Sequence, residues 1–340
     1  MTPQGLQAGT PDALDATLMA GRDQVLDALN RLDIDPLRLP RLPWDSVHDV
    51  VGPVWPTDLW CLAAATGNGK TTVAAHLIDA WVRAGRRVYV LSLEQKPAEI
   101  RTALAALRLK LHPQRCLENR WEKLPRDAAP MLRAELARQI TELEGRLVFA
   151  PTEGLSRETL GSEMTNAYSL RADLVVIDHI HHVDLGGGNQ HEALVRFCRD
   201  LKRLANDLEL PVLILAQLHR GEKDPIAPYQ PPNPYSIQGG EVIRQVSSVA
   251  LGLYRPLVET FDAESARSVR TGKTKISQYL EPHTIGIHVM KHRLRGGEAI
   301  GEILHLRYEH GRITCPTTDR RHAQEERIEP EQGDAYEGPS

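Results

Sequence analysis

Short apolar runs with almost no polar interruption, each followed by a helical pattern, constrain this chain more than any other feature. LWCLAAA begins at residue 59, and RRVYVLSLE, RLVFAP, ADLVVIDHI and PVLILAQ follow at intervals long enough to hold helices. A strand with one wet face alternates apolar and polar residues, so runs without alternation read as strands covered on both faces. The pattern predicts an α/β fold, a mostly parallel central sheet flanked by helices. Downstream, SVALGLYR, TIGIHVMKHR and GEILHLRYE read as further strands added on the C-terminal side, closing one side of the sheet.

A chain of 340 residues with 41% apolar content supports one sizeable core plus appendages. The expected domain spans 41–316. Ahead of it, residues 1–40 are polar and proline-punctuated apart from Leu14, Leu18, Val25, Leu29 and Leu32, which recur at helical spacing. Gly21 within that helix costs on the order of 1 kcal/mol relative to alanine, so the helix needs a partner surface. A surface helix and a helix that docks on a neighbouring subunit both satisfy this. The tail, 317–340, is polar and expected to be disordered.

The formal charge of −4 and pI near 6.4 exclude a protein coated in positive charge, so any nucleic-acid contact must be local. Cys61, Cys116, Cys198 and Cys315 are scattered without paired spacing, as in a chain whose thiols stay reduced. The N-terminus lacks a cationic start with an apolar core, and no run approaches the roughly 18 apolar residues of a membrane span. A soluble, cytoplasmic protein without membrane contact is expected.

The stretch AAATGNGKTT, residues 63–72, joins the first strand to a helix whose Val73, Leu77, Ile78, Trp81 and Val82 make an apolar face. Strand, glycine-bearing turn and helix N-terminus are the context of a phosphate-binding loop, in which backbone N–H groups converge on phosphate. Thr66, Gly67, Asn68, Gly69, Lys70, Thr71 and Thr72 would hold the ATP phosphates. Lys70 would reach the β and γ phosphates and Thr71 would ligate Mg²⁺. The strict pattern wants glycine where Ala64 stands. ATP hydrolysis also needs a carboxylate near the magnesium and a group that activates water. Asp178 ends LVVID and could hold Mg²⁺ through water, and Glu94 ends VYVLSLE as a candidate general base. The histidines of DHIHH, His179, His181 and His182, lack an obvious further ligand set and read as polar lining rather than a metal site.

The segments AAATGNGKTT, VYVLSLEQ, LVVIDHIHHV, LKRLANDLELPVLILAQLHR, IRQVSSVALGLYR and VMKHRLRGG, in this order across about residues 55–310, resemble the ATPase domain of DnaB-type hexameric replicative helicases, a branch of the RecA-like fold. The resemblance implies a RecA-like P-loop core with antiparallel strands at its C-terminal side. It implies that Glu94 is the catalytic glutamate, Asp178 the magnesium-associated aspartate and Gln217 the glutamine that senses the γ-phosphate and connects it to the DNA-contacting loops. It further implies that Lys291 and Arg293 enter the neighbouring subunit's site, with Arg295 as an alternative finger. An arginine supplied in trans makes hydrolysis depend on assembly.

Two loops match the family's DNA-binding positions. The first, DLGGGNQHE, has no lysine or arginine; Gly186, Gly187, Gly188 and Asn189 could offer backbone N–H groups to phosphate, or form a flexible linker. The second runs from Arg220 and Lys223 to Gln238, Gly239 and Gly240, stiffened by prolines at 225, 228, 231, 232 and 234, with Tyr229 or Tyr235 as a stacking face. A proline-rich partner-binding loop is an alternative there. The resemblance implies a ring, hexameric in the family, that moves along single-stranded DNA, with ATP and Mg²⁺ as cofactors and a loader or primase as possible partners. Forty N-terminal residues leave no room for the family's helical collar domain. The alternative function is a RecA-like regulatory or assembly ATPase acting on a protein or duplex DNA without unwinding. A small-molecule kinase is disfavoured, since the candidate finger would have no role in it.

Overall fold

The computed structural model describes residues 33–35, 39–150, 154–219, 224–309 and 312–316. The expected helix of residues 1–40, the loop cations Arg220 and Lys223 and the tail 317–340 lie outside the described residues. Residues 1–40 separate as a unit of their own, and residues 41–340 carry the fold.

Among the described residues, β1 (Leu59–Ala64), β2 (Val88–Ser92), β3 (Leu147–Phe149), β4 (Leu174–Asp178), β5 (Val212–Gln217), β6 (Val249–Tyr254), β7 (Thr284–His292), β8 (Ile303–Glu309) and β9 (Arg312–Thr314) build one sheet. Its order is β3-β2-β4-β5-β1-β6-β7-β8-β9. Neighbours from β3 to β6 run parallel, while β7, β8 and β9 add on antiparallel. SVALGLYR therefore extends the parallel block, and the antiparallel addition starts one strand later.

The unbroken apolar runs behave as two-sided burial requires. Every residue of β1 is buried. Leu59, Cys61 and Ala63 pack with Phe197 and Leu201 on one face, and Trp60, Leu62 and Ala64 pack with Val73, Leu77 and Trp81 on the other. Each large side chain so buried stabilises the fold by roughly 1.5–3 kcal/mol.

α1 (Asp45–Val51) precedes β1, and α2 (Lys70–Arg83) follows it. The region read as one long helical stretch after β2 is three helices, α3 (Pro97–Arg108), α4 (Pro113–Leu117) and α5 (Ala128–Glu142). The first break falls at Lys110, which takes φ +55°, and Pro113 then starts α4. Arg108, 5% exposed, donates to Asp79 of α2 and to Glu135 and Glu142 of α5, clamping this layer to the helix that follows β1. Removing one partner of such a buried group costs about 3–5 kcal/mol. The remaining helices are α6 (Arg157–Ser169), α7 (Gln190–Asp207), α8 (Gly240–Val246) and α9 (Ala263–Arg270). Because β1, β2, β4 and β5 are parallel, their carboxyl ends share one edge, where α/β sheets bind ligands.

Candidate active site

The turn from β1 into α2 depends on glycine. Gly67 and Gly69 have φ of +87° and +86°, and Gly69 is the N-cap of α2. Ala64 lies outside this turn: it is the last residue of β1, paired with Gln217 and Leu253 and 1% exposed. Its methyl belongs to the core, which explains why alanine stands there without disturbing the cradle.

A cavity of about 320 Å³ at this edge is lined by Thr66, Gly67, Gly69, Lys70, Thr71 and Thr72 together with Glu94 and Gln217. Asn68 lines an adjoining cavity with Gly67, Gly69 and Thr72. Its N–H donates to Ala65 O (3.1 Å) and its side chain donates to Pro228 O (2.8 Å), tying the turn to the proline-rich loop. Gln95, His112 and Tyr308 also line the cavity. Nothing in the sequence marked the last two, because they come from α4's N-cap and from β8, far from any glycine-rich turn.

The charges here act on one another. Burial holds Lys70 below the ordinary ammonium range, opposed by Asp178 and Glu94. Burial and the charge of Glu94 push Asp178 up to about 6 against the pull of Lys70. Asp178 is 3% exposed, and its Oδ1 has no hydrogen-bond partner among the described residues. A buried carboxylate oxygen without a partner, the Thr71 hydroxyl in the first turn of α2 and the Lys70 ammonium fit a magnesium triphosphate. Magnesium takes oxygen ligands and keeps several waters, so it needs no dedicated protein cage. Among the described residues no group of three or more His, Cys, Asp or Glu could hold a metal ion by itself.

β4 ends at Asp178, so His179, His181 and His182 are not on alternating strand positions; Ile180–His182 form a 3₁₀ turn. His179 is buried, and desolvation, with Lys70 and the neighbouring histidines, lowers it to about 3, so the ring is neutral. It lies 3.2 Å from Glu94 Oε2 and 3.3 Å from the Gln217 amide.

Lys291, Arg293 and Arg295 are treated differently by the fold. Lys291 Nζ donates to the carbonyls of Arg244 (2.7 Å) and Gln245 (2.9 Å) at the end of α8. Burial, then Arg293, Arg244 and Lys202, lower it to about 8. Arg295 donates to the carbonyls of Asp49 and Val50 at the end of α1, a structural duty that argues against its use as a finger. The Arg293 side chain is exposed and makes no hydrogen bond or ion pair among the described residues.

Gly186, Gly187, Gly188 and Asn189 are exposed. The Gly186 N–H donates to Asp184 Oδ1 (2.9 Å), and the Asn189 side chain caps α7 by accepting from His191 N (3.1 Å). The second loop is docked: Ile226 is buried, Asp224 pairs with Arg270 (2.9 Å), and Pro232 O accepts from His288 Nδ1 (2.8 Å). At its end Gln238 N donates to Gln217 O (2.8 Å), Gly239 is the N-cap of α8 with φ +70°, and Gly240 opens that helix. The left-handed φ of Gly239 strains any residue with a Cβ there, and that Cβ would also push on Leu194 Cδ2.

Comparison with known proteins agrees with this architecture. The DnaB-like helicase C-terminal domain family matches residues 45–308. The replicative DNA helicase DnaB of Helicobacter pylori is 25% identical over 241 residues, covering 65% of this chain and 45% of that protein. The Pasteurella multocida protein of the same name is 27% identical over 189 residues, covering 52% and 38%. The Nostoc protein is 27% identical over 177 residues, covering 48% and 18%, so the chain spans less than half the length of these relatives. Among solved structures, the ATPase domain of G40P superposes with a TM-score of 0.64 at 17% identity, over 91% of this chain and 99% of that one. A DnaB-like replicative helicase studied with primase gives 0.64 at 17% identity, over 86% and 67%. Among the described residues no helix is long and apolar enough to cross a membrane. With the family matched from α1 to β8, over most of its length, the chain belongs to the DnaB-like helicase C-terminal domain family.

Proposed function

We propose that this chain is an ATP-dependent DNA helicase or translocase module that works in a ring, hydrolysing ATP between adjoining copies and gripping single-stranded DNA in the channel. The observation that carries the reading is the meeting of Lys70, Glu94, Asp178 and Gln217 at one sheet edge, with Arg293 left unengaged elsewhere on the same chain. ATP would supply the phosphoanhydride and magnesium the charge that neutralises its phosphates. Thr71 and Asp178 would hold that cation, and Lys70 neutralises the phosphates. Glu94 accepts the proton of the attacking water, and Arg293 of an adjoining copy offsets charge developing on the transferred phosphoryl group. Leu294, Ile300 and Ile303, which follow Arg293 in the chain, are exposed apolar residues at 69%, 46% and 43%, a surface that an adjoining copy would cover.

DNA contact rests on the backbone N–H groups of Gly187 and Gly188, on Gln238 and Gly240 at the base of the second loop, and on Arg220 and Lys223, the Gly186 N–H being taken by Asp184. A loader or primase is a candidate partner. The second reading, a regulatory or assembly ATPase, draws support from the docking of the proline-rich loop on its own subunit through Pro228 and Asp224. ATP turnover measured with and without single-stranded DNA separates the two. Strong stimulation supports the motor, and a flat response supports the regulator.

A further inference from the structure

Two histidines that the proposed chemistry leaves without a role join its parts. His179, 1% exposed, has Nε2 3.2 Å from Glu94 Oε2 and 3.3 Å from the side-chain amide of Gln217. One ring nitrogen cannot donate to Glu94 and accept from Gln217 at once. An ionised Glu94 selects the tautomer with hydrogen on Nε2. Gln217, whose amide ends exchange by a half-turn, then presents its oxygen to the same N–H and leaves its NH₂ to donate elsewhere. The opposite tautomer would bury an N–H at Nδ1, which has no partner among the described residues; an unmade donor in a dry site is costly.

His181 extends the line. Its Nε2 is 2.7 Å from Gln238 O, which can only accept, so the hydrogen sits on Nε2. Nδ1 is then free to accept from Gln217 N at 3.4 Å. The His179 and His181 rings meet edge-on, with centroids 5.5 Å apart. Leu218 bridges Ile237, and His219 N donates to Ser236 O (2.7 Å), so both ends of the second loop are paired where His181 touches them.

We propose that His179 and His181 are positioning residues that tie Glu94, Gln217 and the base of the second loop at Gln238 into one hydrogen-bonded line, so that loop position and the orientation of the water-activating acid change together. This rests on the roles given above to Glu94 and Gln217. It adds two residues, a fixed tautomer for each and a route through side chains with partners on both sides.

The test uses the full chain. His179→Leu is expected to lower kcat about 10–100-fold, as losing an orienting hydrogen bond does, with little change in KM for ATP. His181→Ala is expected to reduce the stimulation by single-stranded DNA by about 2–30-fold, the span of ordinary coupling energies. Where these variants fail to fold, His179→Asn and His181→Asn, polar but too short to span both contacts, carry the same comparison. An independent readout is amide exchange across 236–240 when a nonhydrolysable ATP analogue is added. The unmodified chain should respond, and the variants should bind the analogue without that response. Loss of turnover in Lys70→Ala together with DNA stimulation of the unmodified chain tests the underlying reading separately. Wild-type kcat in the His179 variants, an unchanged stimulation ratio in the His181 variants, or exchange at 236–240 that ignores nucleotide or responds equally in the variants would each overturn the relay.

Discussion

At the carboxyl edge of β1, β2 and β4, burial lowers the proton affinity of Lys70 against the charges of Asp178 and Glu94, and burial raises that of Asp178 against the pull of Lys70. At the end of β7, Lys291, Arg293 and Arg295 meet three different fates: one donates to the end of α8, one to the end of α1, and one to nothing described. The first region is wired within one chain. The second spends two cations on helix C-terminal carbonyls, a favourable place for positive charge, and leaves the middle one uncommitted. Charge alone thus does not mark a residue for catalysis; what distinguishes Arg293 from Arg295 is the absence of a partner in its own fold.

The largest effect should come from the wired region. Lys70→Ala is expected to abolish both nucleotide binding and turnover. Glu94→Gln should bind ATP normally yet lose about 10²–10⁴ in rate, read by equilibrium nucleotide binding beside steady-state hydrolysis. Normal turnover by Glu94→Gln would remove its role as base.

Arg293→Ala should lose about 10³ or more in kcat, the usual scale for an arginine finger. Arg295→Ala should leave kcat nearly intact, and equal losses in the two would erase the contrast drawn above.

Lys291 gives a smaller effect that depends on pH. Burial lowers it to about 8, so it is charged below that pH and neutral above it. Any contribution of its charge to turnover should fade between about pH 7 and 9, and Lys291→Arg, which cannot deprotonate, should keep the alkaline limb flat. For stability the sign is opposite. Between about 8 and the ordinary 10.5 the unfolded chain binds more protons than the native one, so this residue's contribution to stability rises with pH across that window.

The smallest effect is structural. Arg295→Ala should cost about 1 kcal/mol in chemical denaturation, the worth of a cation at an exposed helix C-terminus.

Much of this was legible in the letters. Apolar runs gave the strands, and Glu94, Asp178 and Gln217 sit just where such runs end, so their common edge follows from parallel pairing. Gly67 and Gly69 announced the turn, and the face of α2 came from its period. The histidine line was not legible, because His181 reaches Gln238 across 57 positions and His179 reaches Gln217 across 38. No periodicity encodes a partner that distant. The bond from Asn68 to the proline-rich loop is hidden for the same reason, since its partner Pro228 lies 160 positions away. Arg295 stays an alternative to Arg293 on paper because the helix end that occupies it lies some 245 positions upstream.

The account stands on one site being shared by two copies. The direct measurement is ATP turnover by mixtures of Arg293→Ala and Lys70→Ala proteins, each inactive alone, across a range of ratios. A Lys70→Ala subunit still carries Arg293 and can complete the intact cradle of an adjoining Arg293→Ala subunit, so turnover well above the sum of the separate proteins is predicted. Mixtures that never exceed that sum at any ratio, under conditions where the two proteins assemble together, would contradict it.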